Sequence, residues 1–439
     1  MVKTPDIPHY DLIVIGAGAM GLASAYEASK SGLKTLVLEA GRVPGGMAAH
    51  FDFDGLSLER YYHFICKTDF DSFALLDELG ITKKLKWRET KMGYFYAGKL
   101  HKWGNPFALL TFPHLNLIEK FRYALTAFWT TKRKNWDAVE PLTAPEWLTS
   151  TVGKSGYEKL WHRLFHLKFY EYTNQISATW IGTRIRRIGL SRKSLLQEEL
   201  GYLEGGTETL VTALVEAIEA NGGTVQLSMP CDEIARHDTS LKVRVGKQNF
   251  TAENVISTVP TPYISRLVPS LPDALKAQYD AIPNIGVACL VFKLRRSVSE
   301  NFWVNIVDDN HAIPGIIEFS NLRPVKGAHI VYAPYYMPIT NERWDWSNEA
   351  LLDEAFSAIQ SVNTNITRDD ILSTTVSRLP HAQPICFPNF KDLLPAIQSP
   401  IQGLQIADTC YYYPEDRGIS ESIKLGRDMA QTAITQRAD

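Results

Sequence analysis

The chain has 439 residues, of which 45% are hydrophobic, 11% aromatic and 21% charged. Those are the proportions of an ordinary globular protein, and they exclude a disordered, collagenous or coiled-coil chain. Its 46 Lys and Arg against 48 Asp and Glu leave a formal net charge of −2, which argues against a generic nucleic-acid binder.

At this length the chain exceeds what one hydrophobic core holds, so two connected domains are expected. Five cysteines (Cys66, Cys231, Cys289, Cys386, Cys410) are odd in number and show no CxxC spacing. Neither a disulfide framework nor a bound metal is expected from them. No apolar run approaches the ~18 residues needed to span a bilayer. The opening MVKTPDIPHY lacks the apolar stretch of a secretory signal, so a cytoplasmic location is the expectation.

The first predicted element is a buried parallel strand over Tyr10 to Ile15, YDLIVI. It runs directly into Gly16-x-Gly18-x-x-Gly21, whose turn includes Ala19 and Met20, and then into a helix ending near Gly32. A second strand, TLVLEA, carries Glu39 and Ala40. This is a complete βαβ unit. Gly16 permits the tight turn, Gly18 lets backbone N–H groups approach a pyrophosphate, and Gly21 lets the helix lie close to the sheet. The helix N-terminus offers N–H donors to the phosphates, and Glu39 can accept both ribose hydroxyls. The next segment, Gly41-Arg42-Val43-Pro44-Gly45-Gly46-Met47, provides a second glycine pair for crossing the pyrophosphate again, with Arg42 able to neutralise it. Such a second crossing suits FAD better than NAD. No further glycine fingerprint for a nicotinamide nucleotide follows Gly46.

Beyond this unit, Arg60, Tyr61, Tyr62 and His63 form a cluster in which aromatic rings can wall a slot. Arg60 can hold an anion, and His63 can move a proton near pH 7 or simply pack in a core. Between Lys99 and Lys193 there are sixteen Lys or Arg and six Asp or Glu. The segment FALLTFPHLNLIEKFRYALTAFWTTKRKNW interleaves apolar, aromatic and basic residues at helical spacing. The favoured reading is a helical domain whose aromatic stripe is core and whose basic face is solvated; peripheral membrane contact and an anionic soluble substrate are the alternatives. Next, Gly201 to Gly206 precede an amphipathic helix, a strand TVQLSM and the segment Pro230-Cys231-Asp232. At the C-terminus a strand ends at Asp408, Tyr411 to Tyr413 follow, and a helix starts after Gly418. The charged run Glu415-Asp416-Arg417 between them reads either as site or as solvated loop.

The glycine triplet, the acidic strand end, Arg42 and the Gly45-Gly46 pair together resemble the flavin-containing amine oxidase and protoporphyrinogen oxidase superfamily, which includes phytoene desaturases and UDP-galactopyranose mutase. The blocks around Gly201–Gly206, Cys231 and Asp408–Ile419 extend that resemblance along the chain. Leu58 to Phe64, Leu167-Lys168-Phe169, residues 378–388 and Tyr413 to Gly418 resemble a bacterial FAD-dependent oxidoreductase branch. The resemblance implies that Cys231 lies against the adenine through its backbone, that Asp408 binds the ribityl chain, and that the helix start near Gly418 and Ile419 faces the flavin pyrimidine. Ala407-Asp408 departs from the more usual Gly-Asp but keeps the carboxylate. It also implies a lysine on the strand GVACLVFKL (286–294) in amine oxidases proper. Here Ala288 takes that place and Lys293 reads as a strand-end surface residue, leaving Lys168 as the remaining basic candidate. Cys386 lies where some relatives tether their flavin, but non-covalent FAD is favoured.

The expected fold is α/β. A discontinuous Rossmann-like FAD domain of the glutathione-reductase type would comprise residues 1–90, 200–265 and 375–439. A mixed sheet-plus-helix substrate domain would comprise 91–199 and 266–374, with its helices in 100–200 and an antiparallel sheet after 265. The expected activity is FAD-dependent oxidation of a C–H beside nitrogen, oxygen or an unsaturated system, on an anionic or lipid- or glycan-linked small molecule. Tyr62, His63, Arg60, Lys168 and Tyr412 are the catalytic candidates. A non-redox flavoenzyme resembling UDP-galactopyranose mutase, or a flavin-binding scaffold, are the alternatives.

Overall fold

The computed structural model describes residues 7–438. The predicted βαβ unit is present: strand His9–Ile15, helix Ala19–Lys30 and strand Thr35–Leu38, the two strands parallel. Both strands are buried in their apolar stretches, as a strand covered on two faces must be. The sheet runs Thr224–Gln226, Thr35–Leu38, His9–Ile15, Gln248–Ser257, Ser240–Val245, Glu233–His237. The short strand Leu404–Ile406 pairs in parallel with the end of Gln248–Ser257. Helices Ala19–Lys30, Thr207–Ala220 and Ile419–Ala438 cover one face through Leu12, Val14, Val37 and Ile256. Ile13, Ile15, Leu36 and Leu38 pack into the core on the other. The first and last helices touch closely: Ser24 Oγ donates to the Gly426 carbonyl at 2.8 Å, and a Cβ on Gly426 would lie 2.3 Å from the Met20 carbonyl oxygen.

A second seven-stranded sheet runs Ile371–Pro384, Asn284–Leu294, His329–Met337, Gly315–Glu318, Trp303–Ile306, Met92–Tyr96, Lys99–Trp103. It is not wholly antiparallel, because Trp303–Ile306 pairs in parallel with Met92–Tyr96, and the hairpin 92–103 joins it from before the helices. Strand Ile371–Pro384 pairs along its length with Asn284–Leu294. A boundary at 375 would cut it, so sheet membership moves that boundary past Pro384. Likewise Leu85–Thr90 pairs with Gln197–Leu203 in a separate small sheet that bridges the expected boundaries at 90 and 200.

The helical part contains Leu117–Lys132, Ala144–Val152, Arg163–Phe169 and Ala178–Leu190. The expectation that its aromatic stripe is core fails for Leu117–Lys132. Leu117, Ile118, Phe121, Phe128 and Trp129 are more than half exposed, while Glu119 and Thr130 are buried. Among the described residues no helix is long and apolar enough to cross a membrane.

Candidate active site

The glycine-rich turn is held from both sides. Gly16 N donates to the Leu38 carbonyl at 2.8 Å, and Thr258 N donates to that of Ile15 at 2.9 Å. Gly16 has φ +103, a conformation that favours glycine. A Cβ on Gly21 would lie 1.9 Å from the Gly16 carbonyl oxygen, so the helix can approach the turn only without one. At Gly18 the situation reverses: its φ is −70, and a Cβ would meet nothing within 4 Å. Gly18 caps the helix and faces open space. Gly45 bridges to it, with Gly45 N donating to the Ala17 carbonyl at 2.7 Å, and a Cβ on Gly46 would press on the Gly18 Cα at 3.1 Å. The two glycine segments, far apart on an extended chain, therefore form one cradle at a helix N-terminus, where unpaired N–H groups and the helix dipole favour phosphate.

Glu39 stands at the end of its strand, its carboxylate accepting from Ala17 N and Gly41 N, both at 2.7 Å. Those bonds fix its orientation and leave further lone pairs on each oxygen. Its carbonyl accepts from Met229 N at 2.8 Å, which brings the segment before Cys231 alongside. A cavity of about 630 Å³ begins here. Gly16, Gly18, Ala19, Met20, Glu39, Ala40, Gly45, Gly46, Met47 and Cys231 line its first part, and Asp408, Tyr412, Gly418 and Ile419 line its continuation. Asp408, 5% exposed, is fixed by Thr261 N at 2.6 Å and Cys410 N at 2.8 Å. Tyr412 Oη bonds Ser422 Oγ at 2.7 Å in the first turn of the last helix. Arg42 departs from the expectation: it is exposed and outside the lining.

The same cavity continues between the two large sheets into an aromatic and basic chamber. Tyr62 meets Trp303 edge-on at 5.4 Å between centroids, and its hydroxyl lies 3.4 Å from that of Tyr336. Trp303 and Tyr336 come from the second sheet and are invisible to local motif reading. On strand Asn284–Leu294 the cavity-facing residues are Val287 and Cys289. Ala288 faces the opposite way, into the core beside helix Asn348–Val362, so it does not occupy the position expected of it. Lys293 is at the far end of the strand, paired with Asp54 at 3.4 Å. Cys386 is buried in the core outside the cavity lining. Arg60 is exposed and also outside it, because its strand-end backbone, bonded to the Ala49 carbonyl, turns it away.

The cations that do line the chamber are Lys168, Arg184, Arg187 and Arg417. Arg187 grips Asp69 with two bonds of 3.1 and 2.8 Å, and Arg184 pairs with Asp416 at 3.1 Å. Arg417 donates to the Ala382 carbonyl and to Tyr336 Oη. Asp416 and Arg417 are therefore parts of the wall and not a solvated run. Burial opposes the Asp416 charge, but Arg184, Lys168 and Arg417 hold its carboxyl below the usual range. Lys168 Nζ sits 5.0 to 5.5 Å from the ring centres of Tyr336, Phe169 and Trp180. Burial, reinforced by Arg184, pushes its ammonium well below the usual lysine range. Asp416 opposes that shift; an amine whose charged form is disfavoured in a cavity is a candidate proton acceptor.

His63 faces the same space, but burial and the nearby Arg417 push it down to about 4. Burial thus disfavours in His63 the charged form that a proton carrier near pH 7 would have to adopt. Its Nδ1 is buried without a hydrogen-bond partner. Tyr411 and Tyr413 do not line the cavity; Tyr413 Oη is tied to Ser177 and Glu140.

The 15-cis-phytoene desaturase of Capsicum annuum is 26% identical over 279 residues, which cover 57% of this chain and 46% of the desaturase. The chain thus spans about half the length of the curated relatives it matches first. Among solved structures, cyclohexylamine oxidase from Brevibacterium oxydans superposes with a TM-score of 0.73 at 15% identity, over 99% of this chain and all of that one. Reduced UDP-galactopyranose mutase superposes with a TM-score of 0.74 at 14% identity, over 98% and 95% of the two chains. At such identities these structures establish the fold. The sequence profile of the flavin-containing amine oxidoreductases matches residues 21–407, and the chain belongs to that family.

Proposed function

We propose that this protein is an FAD-dependent oxidoreductase that takes a hydride from a C–H bond adjacent to nitrogen, oxygen or an unsaturated system. One observation carries the reading: the glycine cradle and the aromatic, basic chamber are two parts of a single cavity. The first part suits FAD: Gly18 would leave room for the diphosphate, Glu39 would hold the ribose, and Asp408 and the helix start at Ile419 would lie toward the flavin end. When bound, the flavin supplies the hydride acceptor.

The chain's own residues do the rest. Tyr62, Trp303 and Tyr336 exclude water and confine a planar or apolar substrate segment. Lys168, whose charged form burial disfavours, takes the proton released as the C–H and its neighbouring N–H or O–H become a double bond. Arg417, whose guanidinium donates to the Ala382 carbonyl and the Tyr336 hydroxyl, offers its charge to an anionic substrate group. The partial positive charge of the last helix's N-terminus lies at the cavity and favours anionic character there. An anionic or lipid- or glycan-linked small molecule suits this lining. Oxygen or a quinone would then accept the electrons.

The test is anaerobic. Purified protein with a flavin absorption band is mixed with candidate amines, alcohols and unsaturated lipids, and bleaching of the band is followed. Bleaching on mixing, with peroxide formed on admitting air, supports oxidation. The basic lining also suits a sugar nucleotide. Turnover only after chemical reduction, with no net electron consumption, would replace oxidation with a mutase-type reaction.

A further inference from the structure

Helix Leu117–Lys132 is inverted with respect to water. Its inward side carries Tyr123, packed against Trp103 at 5.5 Å, together with two buried polar residues: Glu119 is 7% exposed, completes a capping box with Asn116 and pairs with Lys159 at 3.1 Å, and Thr130 is 2% exposed. Its outward positions are Leu117 (78% exposed), Ile118, Phe121 (67%), Leu125, Phe128 and Trp129 (60%). Their spacing of three and four residues sets them along one face. The helix cannot roll to hide that face, because Arg122 is bonded to the carbonyls of Ser150 and Thr151. Lys120 Nζ, bonded to the Leu110 carbonyl, ties on the preceding helix Pro106–Thr111, which adds the exposed Phe107 and Leu110. An apolar surface of this size in water marks a contact surface.

Charge selects what covers it. Lys132 ends the helix, Arg133 and Lys134 follow it directly, and Lys99 and Lys102 are exposed on the strand leading to Phe107. A two-fold dimer through this face would set that cationic rim against its own copy. A bilayer with anionic headgroups would neutralise it while taking up the apolar side chains. We infer that helices Pro106–Thr111 and Leu117–Lys132 seat the protein on an anionic membrane surface, with Phe121, Phe128 and Trp129 at the acyl boundary and the basic run 132–134 among the headgroups. This goes beyond the proposed oxidation and stands independently of it.

The experiment floats FAD-loaded full chain with phosphatidylcholine vesicles, alone or mixed with phosphatidylglycerol. Flotation is expected with the anionic vesicles and weakens as salt is raised. Phe121→Ser/Trp129→Ser should keep the flavin band and lower the bound fraction roughly tenfold or more. Brominated acyl chains should quench wild-type tryptophan fluorescence but quench Trp129→Phe much less. No flotation of the wild type, or equal flotation of the double variant, overturns the inference. So does a dimer in sedimentation velocity that the double variant abolishes, which would assign the face to a second copy.

Discussion

Replacing Gly18 and Gly21 separately by alanine tests the cradle most directly, because the two glycines have opposite reasons for lacking a side chain. A Cβ on Gly21 would stand 1.9 Å from the Gly16 carbonyl oxygen, far inside van der Waals contact and against backbone that cannot swing away. Relief requires the helix to lift from the turn, breaking close packing over buried Leu22, Ala23 and Ala25. We expect Gly21→Ala to destabilise the cofactor-free protein by about 3 kcal/mol, the upper end of the usual cost of core overpacking. Gly18→Ala should leave the cofactor-free protein within about 0.5 kcal/mol of wild type: the methyl meets nothing, φ is already suitable for alanine, and the residue is a helix cap, where alanine is slightly worse than glycine. Its cost should appear only on adding FAD, as a loss of at least about tenfold in affinity, or ~1.4 kcal/mol. Urea unfolding of the two cofactor-free variants and fluorescence titration with FAD measure both quantities. If Gly18→Ala binds FAD like wild type, the diphosphate does not pass Gly18. If it unfolds as easily as Gly21→Ala, the space beside it is not open.

Other expectations follow from the buried charges. Lys168→Met should slow substrate reduction of the flavin by about 10²–10⁴-fold while leaving the flavin band intact. In the wild type that rate should fall as pH drops through the lowered Lys168 value, because protonation removes the acceptor; a rate flat down to the acid-unfolding limit would exclude Lys168. Glu318 is held at about 7, chiefly by burial, so its contribution to stability is complete below its usual 4.5 and is lost as pH rises through 7. The difference amounts to about 3 kcal/mol, so Glu318→Gln should flatten the pH dependence of unfolding between those values and be the more stable chain above pH 7. Arg323→Met, which strands Glu59 (3% exposed) without its 3.1 Å partner, should cost about 3–5 kcal/mol; an unchanged denaturation midpoint would refute that.

The nucleotide half was legible because its signals are local. A β-branched strand, three glycines and a carboxylate within thirty residues specify the cradle before any tertiary contact is known. The chamber was not, because its walls come from distant strands: Trp303 and Tyr336 sit in ordinary alternating sequence, and only sheet register points them inward. Arg60 and Arg42 show the converse failure. Both have the right chemistry beside the right motif, yet the backbone turns each to solvent, and Arg184 and Arg417 supply cavity charge in their place. His63 lines the cavity, but no sequence pattern reports how much solvent its ring loses there. The outward stripe of Leu117–Lys132 misled for a similar reason: amphipathic spacing fixes that two faces differ, not which one meets water.

The packing of the first helix against the last also constrains how the protein is made. Ser24 and Met20 meet Gly426, more than four hundred residues later. A nascent polypeptide therefore leaves one flank of its glycine-rich turn bare until residue 426 has been made. The cavity wall is complete only once the helix Ile419–Ala438 has been made, so a stop before it yields a chain that lacks Ile419 and Ser422 from that wall.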